Sequence, residues 1–113
     1  VVDAVIHLVG EPLADGLWTE KKKRRVVDSR RGLTQELIGL MARLGRTPEV
    51  FIAASAVGWY GVSGDEPLTE ADSACDASFS HESCAAVEET ARGAEILGVR
   101  VVRLRIGLVL DPA

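Results

Sequence analysis

The sequence predicts an α/β fold on a parallel sheet, and three observations carry that expectation. Short apolar runs rich in β-branched residues alternate with longer stretches whose apolar positions recur at helical spacing. The runs are apolar almost end to end, as strands covered on both faces are. Glycine or proline stands at most of the junctions. Together they give the order strand, helix, strand, helix, strand, which needs crossover helices and therefore a parallel sheet. Right-handed crossovers then fix the side on which each helix lies.

Val1 to Val9 is the first strand, broken only by Asp3 and His7 and ending at Gly10. Glu11 to Gly16, with Pro12, is a loop, and Thr19 is placed to cap a long helix. That helix carries Val26, Leu33, Leu37, Leu40, Met41 and Leu44 as its apolar stripe, with Gly45 as its stop and Pro48 just beyond. Val50 to Ala56 is the second strand, and a loop punctuated by Gly58, Gly61 and Gly64 follows. A second helix runs from about Phe79 to Leu97, with Val87, Ala91, Ala94 and Leu97 on one face and Gly98 as its C′ residue. Val99 to Leu110 is the third strand.

The composition is that of a globular domain: 113 residues, 47% hydrophobic and 27% charged, with a net charge of −4. This charge offers no general attraction to nucleic acid or to an anionic membrane. No apolar run approaches the roughly 20 residues that a spanning helix requires. The chain opens on Val1-Val2-Asp3, with no initiator Met and no signal-peptide pattern, inside a strand. The expectation is therefore a truncated chain that is not a complete enzyme. Cys75 and Cys84 make no disulfide framework, which leaves a reducing cytoplasm as the expected setting. The basic run Lys21 to Arg25 reads as the solvated start of an amphipathic helix, with Glu20 as a counter-charge against the helix dipole. Cys75, His81 and Cys84 match no zinc spacing, and no metal is expected. Asp65, Glu66, Glu70 and Asp72 read as solvated loop charge.

In open parallel sheets ligands bind outside the carboxyl ends of the strands. Here that selects His7 to Leu13, Ala53 to Gly61 and Ile106 to Pro112. In the second of these, a serine closes a buried strand, followed by small residues and then Trp59-Tyr60-Gly61. Small residues let a backbone approach a flat ligand, and the serine can hydrogen-bond a reacting oxygen. A strand ending in an ordinary turn has the same pattern.

Four stretches resemble a known family in order along the chain: His7-Leu8-Val9-Gly10-Glu11-Pro12, Trp18-Thr19-Glu20 to Asp28-Ser29-Arg30, Ser55-Ala56-Val57-Gly58-Trp59-Tyr60-Gly61, and Arg105-Ile106-Gly107-Leu108-Val109-Leu110. They resemble the atypical, epimerase-like branch of the extended short-chain dehydrogenase/reductases (YfcH-type proteins of the NAD-dependent epimerase/dehydratase family). The resemblance implies the central-to-late part of a Rossmann-type doubly wound parallel sheet. It implies a partial domain over 1–113, with the first βαβ unit and its glycine-rich phosphate loop lying before Val1. The C-terminal substrate-binding part would follow Ala113.

The resemblance also implies NADP or NAD as cofactor in the complete protein, a small carbonyl or hydroxyl compound as substrate, and an oxidoreductase or epimerase-like activity. It places the family's catalytic serine at Ser55. Tyr60, the one tyrosine of the chain, lies in the same loop and is a candidate substitute acid, the alternative being a packed loop aromatic. Cofactor contacts would come from His7, Val9, Gly10, Ala53, Ala54, Gly107 and Leu108. The family's Tyr-x-x-x-Lys pair falls on Ser80 and Cys84, and His7 stands where the branch has Asn. These departures leave open a non-catalytic dinucleotide sensor or interaction protein, or a fragment without activity. The expected partners are the dinucleotide and a small molecule, not nucleic acid or membrane.

Overall fold

The computed structural model describes residues 2–8, 19–61, 67–73 and 78–107. Strand β1 is Ala4–His7, helix α1 is Glu20–Ala42 and strand β2 is Val50–Ala56. A 3₁₀ turn, Val57–Tyr60, follows β2 directly. Helix α2 is Phe79–Ala91, continued by a 3₁₀ segment Arg92–Leu97, and strand β3 is Arg100–Ile106. The three strands are parallel in the order β1-β2-β3, with His7 opposite Ala53 and Ser55 opposite Arg105. The α/β, parallel, β-α-β-α-β expectation therefore holds.

The local signals explain where α1 begins. Thr19 is extended, and its side chain accepts the Lys22 backbone N–H, satisfying one of the orphan donors of the first turn. Glu20 faces Lys23 at 3.6 Å, the counter-charge that the basic first turns call for. The helix ends at Ala42, three residues before Gly45. Arg46 then pairs with Asp3 at 3.3 Å, and the Glu49 N–H reaches the Asp3 carbonyl, tying the return loop to the start of β1.

The stripe of α1 is rotated from the one its leucines suggest. Lys22, Val26, Thr34 and Met41 are buried, whereas Leu40 is 53% and Leu44 40% exposed. One member of the basic run, Lys22, is thus packed inside, not solvated. In the second helical stretch the α-helix stops at Ala91 and the last turns tighten to 3₁₀, a common form of helix end.

Gly98 closes that segment at φ +80°, the left-handed conformation that costs other residues energy. Nothing lies within 4 Å of a Cβ placed there. Gly98→Ala is expected to cost about 1 kcal/mol, from the backbone alone, as read by urea unfolding. A loss of several kcal/mol would show packing strain in addition.

Both helices lie on one face of the sheet. Phe51 and Ala53 of β2 meet Met41 of α1, Val87 and Ala91 of α2, and Ala94 and Val99 beyond it. The opposite face is apolar and open, with Ile6 62%, Leu104 44% and Ile106 42% exposed. Among the described residues the helices cover one face of the strands. Ala4 and Ile6 project to the open side, and His7 projects into the helical layer.

Candidate functional site

Alternation along the strands sends every second side chain of β2 and β3 toward the helices. On β2 these are Phe51, Ala53 and Ser55, and on β3 they include Arg103 and Arg105. Near the carboxyl ends the apolar core gives way to a polar cluster built around Glu88 of α2. The Glu88 side chain is only 2% exposed.

Ser55 Oγ donates to Glu88 Oε2 at 2.6 Å. Arg105 engages both carboxylate oxygens, Nε to Oε2 at 3.0 Å and Nη2 to Oε1 at 2.9 Å. This is the fork-on-carboxylate geometry that suits guanidinium best. Arg103 approaches Oε1 at 3.6 Å from its more exposed position. Arg105 Nη1 donates to the Tyr60 hydroxyl at 3.2 Å, and Tyr60 in turn donates to the Thr69 carbonyl at 3.0 Å. The guanidinium plane also lies 3.5 Å from the centre of the Trp59 ring, a cation–π contact. The Glu88 hydrogen bonds, helped by the Tyr60 hydroxyl, push Arg105 above its ordinary pKa against the opposing effect of burial. Arg105 therefore joins β3, α2 and the turn after β2 into one clamp.

The turn is also seated directly on α2. A Cβ on Gly58 would stand 3.2 Å from the Ser80 Cβ, a tight contact that α2 would have to yield to by a few tenths of an ångström. His81 donates from Nδ1 to the Trp59 carbonyl. Ser80 and Cys84 both lie on α2. Ser80 is exposed, and Cys84 is a free thiol at 8% exposure. Among the described residues no group of three metal-ligating side chains occurs.

His7 is 2% exposed and stacks on Phe51, with ring centres 6.2 Å apart. The Thr34 hydroxyl gives its only proton to the Arg30 carbonyl at 2.6 Å. The 2.9 Å contact with His7 must therefore run from His7 Nε2–H to Thr34 Oγ. This assigns the tautomer and leaves Nδ1 buried, with no partner among the described residues. Burial pushes the His7 pKa below 6.5. A folded-state pKa below the unfolded one means that stability is complete above pH about 6.5 and falls as acid forces a proton onto the buried ring. Unfolding free energies measured between pH 7.5 and 5.5 should show this loss, and His7→Asn should remove it. An unchanged slope in the variant would assign the acid sensitivity elsewhere.

Of the residues singled out from sequence, Ser55 and Tyr60 belong to the same clamp, Ser55 bonded to Glu88 and Tyr60 to Arg105. Ala53 lies fully buried in the core, Ala54 is half-buried on the open face, and Gly107 is exposed just after β3. His7 faces Thr34 of α1. Val9, Gly10 and Leu108 lie outside the described residues, as do Cys75, Asp65 and Glu66. Glu88, Arg103 and Arg105 were not singled out for the site. Their one sequence signal is the pair of arginines two apart near the end of a strand, with an acid inside an otherwise apolar helix face.

The parallel sheet with its crossover helices and a small-residue turn at the carboxyl edge of β2 places the chain in the class of α/β domains. The family model "NAD dependent epimerase/dehydratase family" matches residues 1–105, and the chain belongs to that family. It is 34% identical over 109 residues to the epimerase family protein YfhF of Bacillus subtilis, covering 96% of this chain and 36% of that protein. Its identity to the epimerase family protein Mb2239 of Mycobacterium bovis is 39% over 112 residues, again 36% of the relative's length. The chain thus spans little more than a third of these relatives.

Among solved structures it resembles a nucleoside-diphosphate sugar epimerase from Corynebacterium glutamicum, with a TM-score of 0.78 and 34% identity over 96% of this chain and 22% of that one. Human epimerase family protein SDR39U1, solved with NADPH, superposes with a TM-score of 0.86 at 24% identity over the whole of this chain and 39% of that one, a likeness of fold. The Rossmann-type reading stands. No helix among the described residues is long and apolar enough to cross a membrane.

Proposed function

We propose that this stretch is the central-to-late part of the NAD(P)-binding domain of a short-chain dehydrogenase/reductase. The longer protein acts as an oxidoreductase or epimerase-like enzyme on a small carbonyl or hydroxyl compound. The observation that carries the reading is the Ser55–Glu88–Arg105–Tyr60 clamp, which fixes the turn after β2 at the carboxyl edge of the sheet in a chain of this family.

In this reading the turn and the end of β3 border the nicotinamide and its ribose, with Val9, Gly10, Ala54, Gly107 and Leu108 as the candidate lining, while His7 and Ala53, buried under the helices, support the strand ends from behind. Ser55 orients the ligand oxygen, and Tyr60 is the candidate acid. Arg105 and Thr69 hold the Tyr60 ring in one place, and because its one proton goes to the Thr69 carbonyl, Tyr60 acts as an acid only by giving up that bond for one to the ligand. The dinucleotide, when bound, supplies the hydride chemistry. The chain's own part is to seat the turn and exclude water from the strand ends. The phosphate-binding glycine loop and the substrate-binding part belong, on this proposal, to the rest of the longer protein. The free, buried Cys84 suits a reducing cytoplasm.

The test is calorimetric titration of the full-length protein with NADPH and with NADH. Saturable binding of either is expected, and the better ligand decides the cofactor. Absence of binding by the folded full-length protein would overturn the reading. A dinucleotide sensor without turnover is the second reading. It is favoured by Ser80 and Cys84, neither of which can replace a Tyr-Lys pair. It predicts cofactor binding with no turnover of any alcohol or carbonyl offered.

A further inference from the structure

We infer that Glu88 sets the hydrogen-bond polarity of Ser55, so that the tip of β2 accepts a hydroxyl from its ligand instead of donating to a carbonyl. This rests on the reading above, that the turn after β2 faces ligand. A serine hydroxyl has one proton and two lone pairs. Ser55 Oγ lies 2.6 Å from Glu88 Oε2, the short length of a bond to a charged acceptor.

Both oxygens of Glu88 are already engaged as acceptors by the Arg105 fork, at 3.0 and 2.9 Å. The carboxylate presents only lone pairs to the serine, so the Ser55 proton goes to Glu88. What remains on Oγ for a ligand is lone pairs. Nor can the fork readily turn away, because Arg105 is held on a second side by Tyr60 and across its face by Trp59.

A ligand hydroxyl meets this arrangement as a donor meeting an acceptor. A ketone or aldehyde oxygen meets it lone pair against lone pair. Such a hydroxyl has two sources, the ribose of the dinucleotide and the alcohol form of a small substrate, and the chemistry at Oγ is the same for both. Glu88 is then a positioning residue, acting through Ser55 without touching the ligand.

The experiment pairs changes in the protein with changes in the ligand. Full-length wild type, Ser55→Ala and Glu88→Gln are titrated with NADPH and with an NADPH analogue lacking the 2′-hydroxyl of the nicotinamide ribose. In a second arm, cyclohexanol and cyclohexanone are titrated into the protein saturated with dinucleotide. In the arm that holds the true donor, wild type should prefer the hydroxyl-bearing probe by about tenfold, the scale of one hydrogen bond. Ser55→Ala should reduce that preference to within about twofold, a single lost bond on that scale.

In Glu88→Gln the one amide oxygen is needed by Arg105, so the amide NH₂ turns to Ser55 and releases its proton. The preference should then vanish or reverse toward the carbonyl. A merely structural Ser55 would weaken both probes of a pair alike and leave the preference as it was. An unchanged preference in Ser55→Ala in both arms, or a wild-type preference for ketone over alcohol, overturns the inference while leaving cofactor binding standing. Failure of NADPH and NADH to bind at all overturns the proposed function, and this inference with it. A folded Glu88→Gln that keeps the wild-type preference also overturns the inference; should that variant fail to fold, Glu88→Asp, which keeps the carboxylate, must keep the preference for the hydroxyl-bearing probe, and its reversal there overturns the inference.

Discussion

Arg105→Ala is expected to lose about 3–5 kcal/mol of unfolding free energy, the cost of leaving a buried partner charge uncompensated. The Glu88 side chain is 2% exposed and Arg105 itself only 13%, so water cannot replace the lost fork. Arg103 at 3.6 Å and Ser55 at 2.6 Å remain, but neither offers two parallel donors to the carboxylate. Trp59 and Tyr60 lose their contact with the guanidinium in the same step.

Converting the pair to hydrocarbon is a different change. Glu88→Leu combined with Arg105→Leu should recover most of the loss, because replacing a buried ion pair by apolar groups of similar volume is often close to neutral. The remaining deficit would reflect Ser55, which loses its acceptor. Urea unfolding of both variants checks this. A loss below about 1 kcal/mol for Arg105→Ala would mean that Arg103 swings in to take over, as exposed pairs can.

Phe51→Ala is the second large effect, expected at about 3–5 kcal/mol. Phe51 is fully buried at the middle of the helical face. It sits on the central strand, with Val5 and Val101 as its partners in register on either side. The helices contribute Met41 and Val87 to the same cluster, and a cavity there cannot close without moving both helices.

The substitution has a second readout, because the Phe51 ring covers His7. With the ring gone, water reaches the imidazole and its pKa returns toward the ordinary value of about 6.5. The variant should therefore be less stable at every pH yet lose less between pH 7.5 and 5.5 than wild type. Phe51→Leu should cost less than about 1.5 kcal/mol, since its volume is nearly kept. Equal losses for Ala and Leu would show that shape at this site matters more than volume.

Caps and end signals were legible from the residues because they act over a few positions. Thr19 begins α1, and Gly98 ends the segment before β3, each for a backbone reason written in its own side chain or the lack of one. The α1 stripe was less legible. A leucine every three or four residues marks a helix but not which of two adjacent faces is covered. The sheet decided that, burying Lys22 and Thr34 and leaving Leu40 and Leu44 to solvent. Thr34 is buried because His7 at the end of β1 needs an acceptor for its Nε2–H. Neither residue advertises the other across 27 positions of sequence.

The site divides in the same way. Ser55 stood out as a hydroxyl at the tip of a buried strand inside a family-like run, and Tyr60 as the one tyrosine of the chain, in the same loop. Glu88 did not, since a glutamate on a helix is ordinarily a solvated residue. Arg105 stood only within a family-like run. The parallel register places Ser55 beside Arg105, and the crossover lays α2 over both.

What the sequence by itself determined is the α/β class, the order of elements and the parallel sheet. Hydrophobic period, capping and turn chemistry are local and additive along the chain. What only the tertiary structure decided is which face of each element is covered and which charges are paired. Burial and ion pairing depend on distances between residues far apart in sequence, and on the removal of water that packing alone brings about.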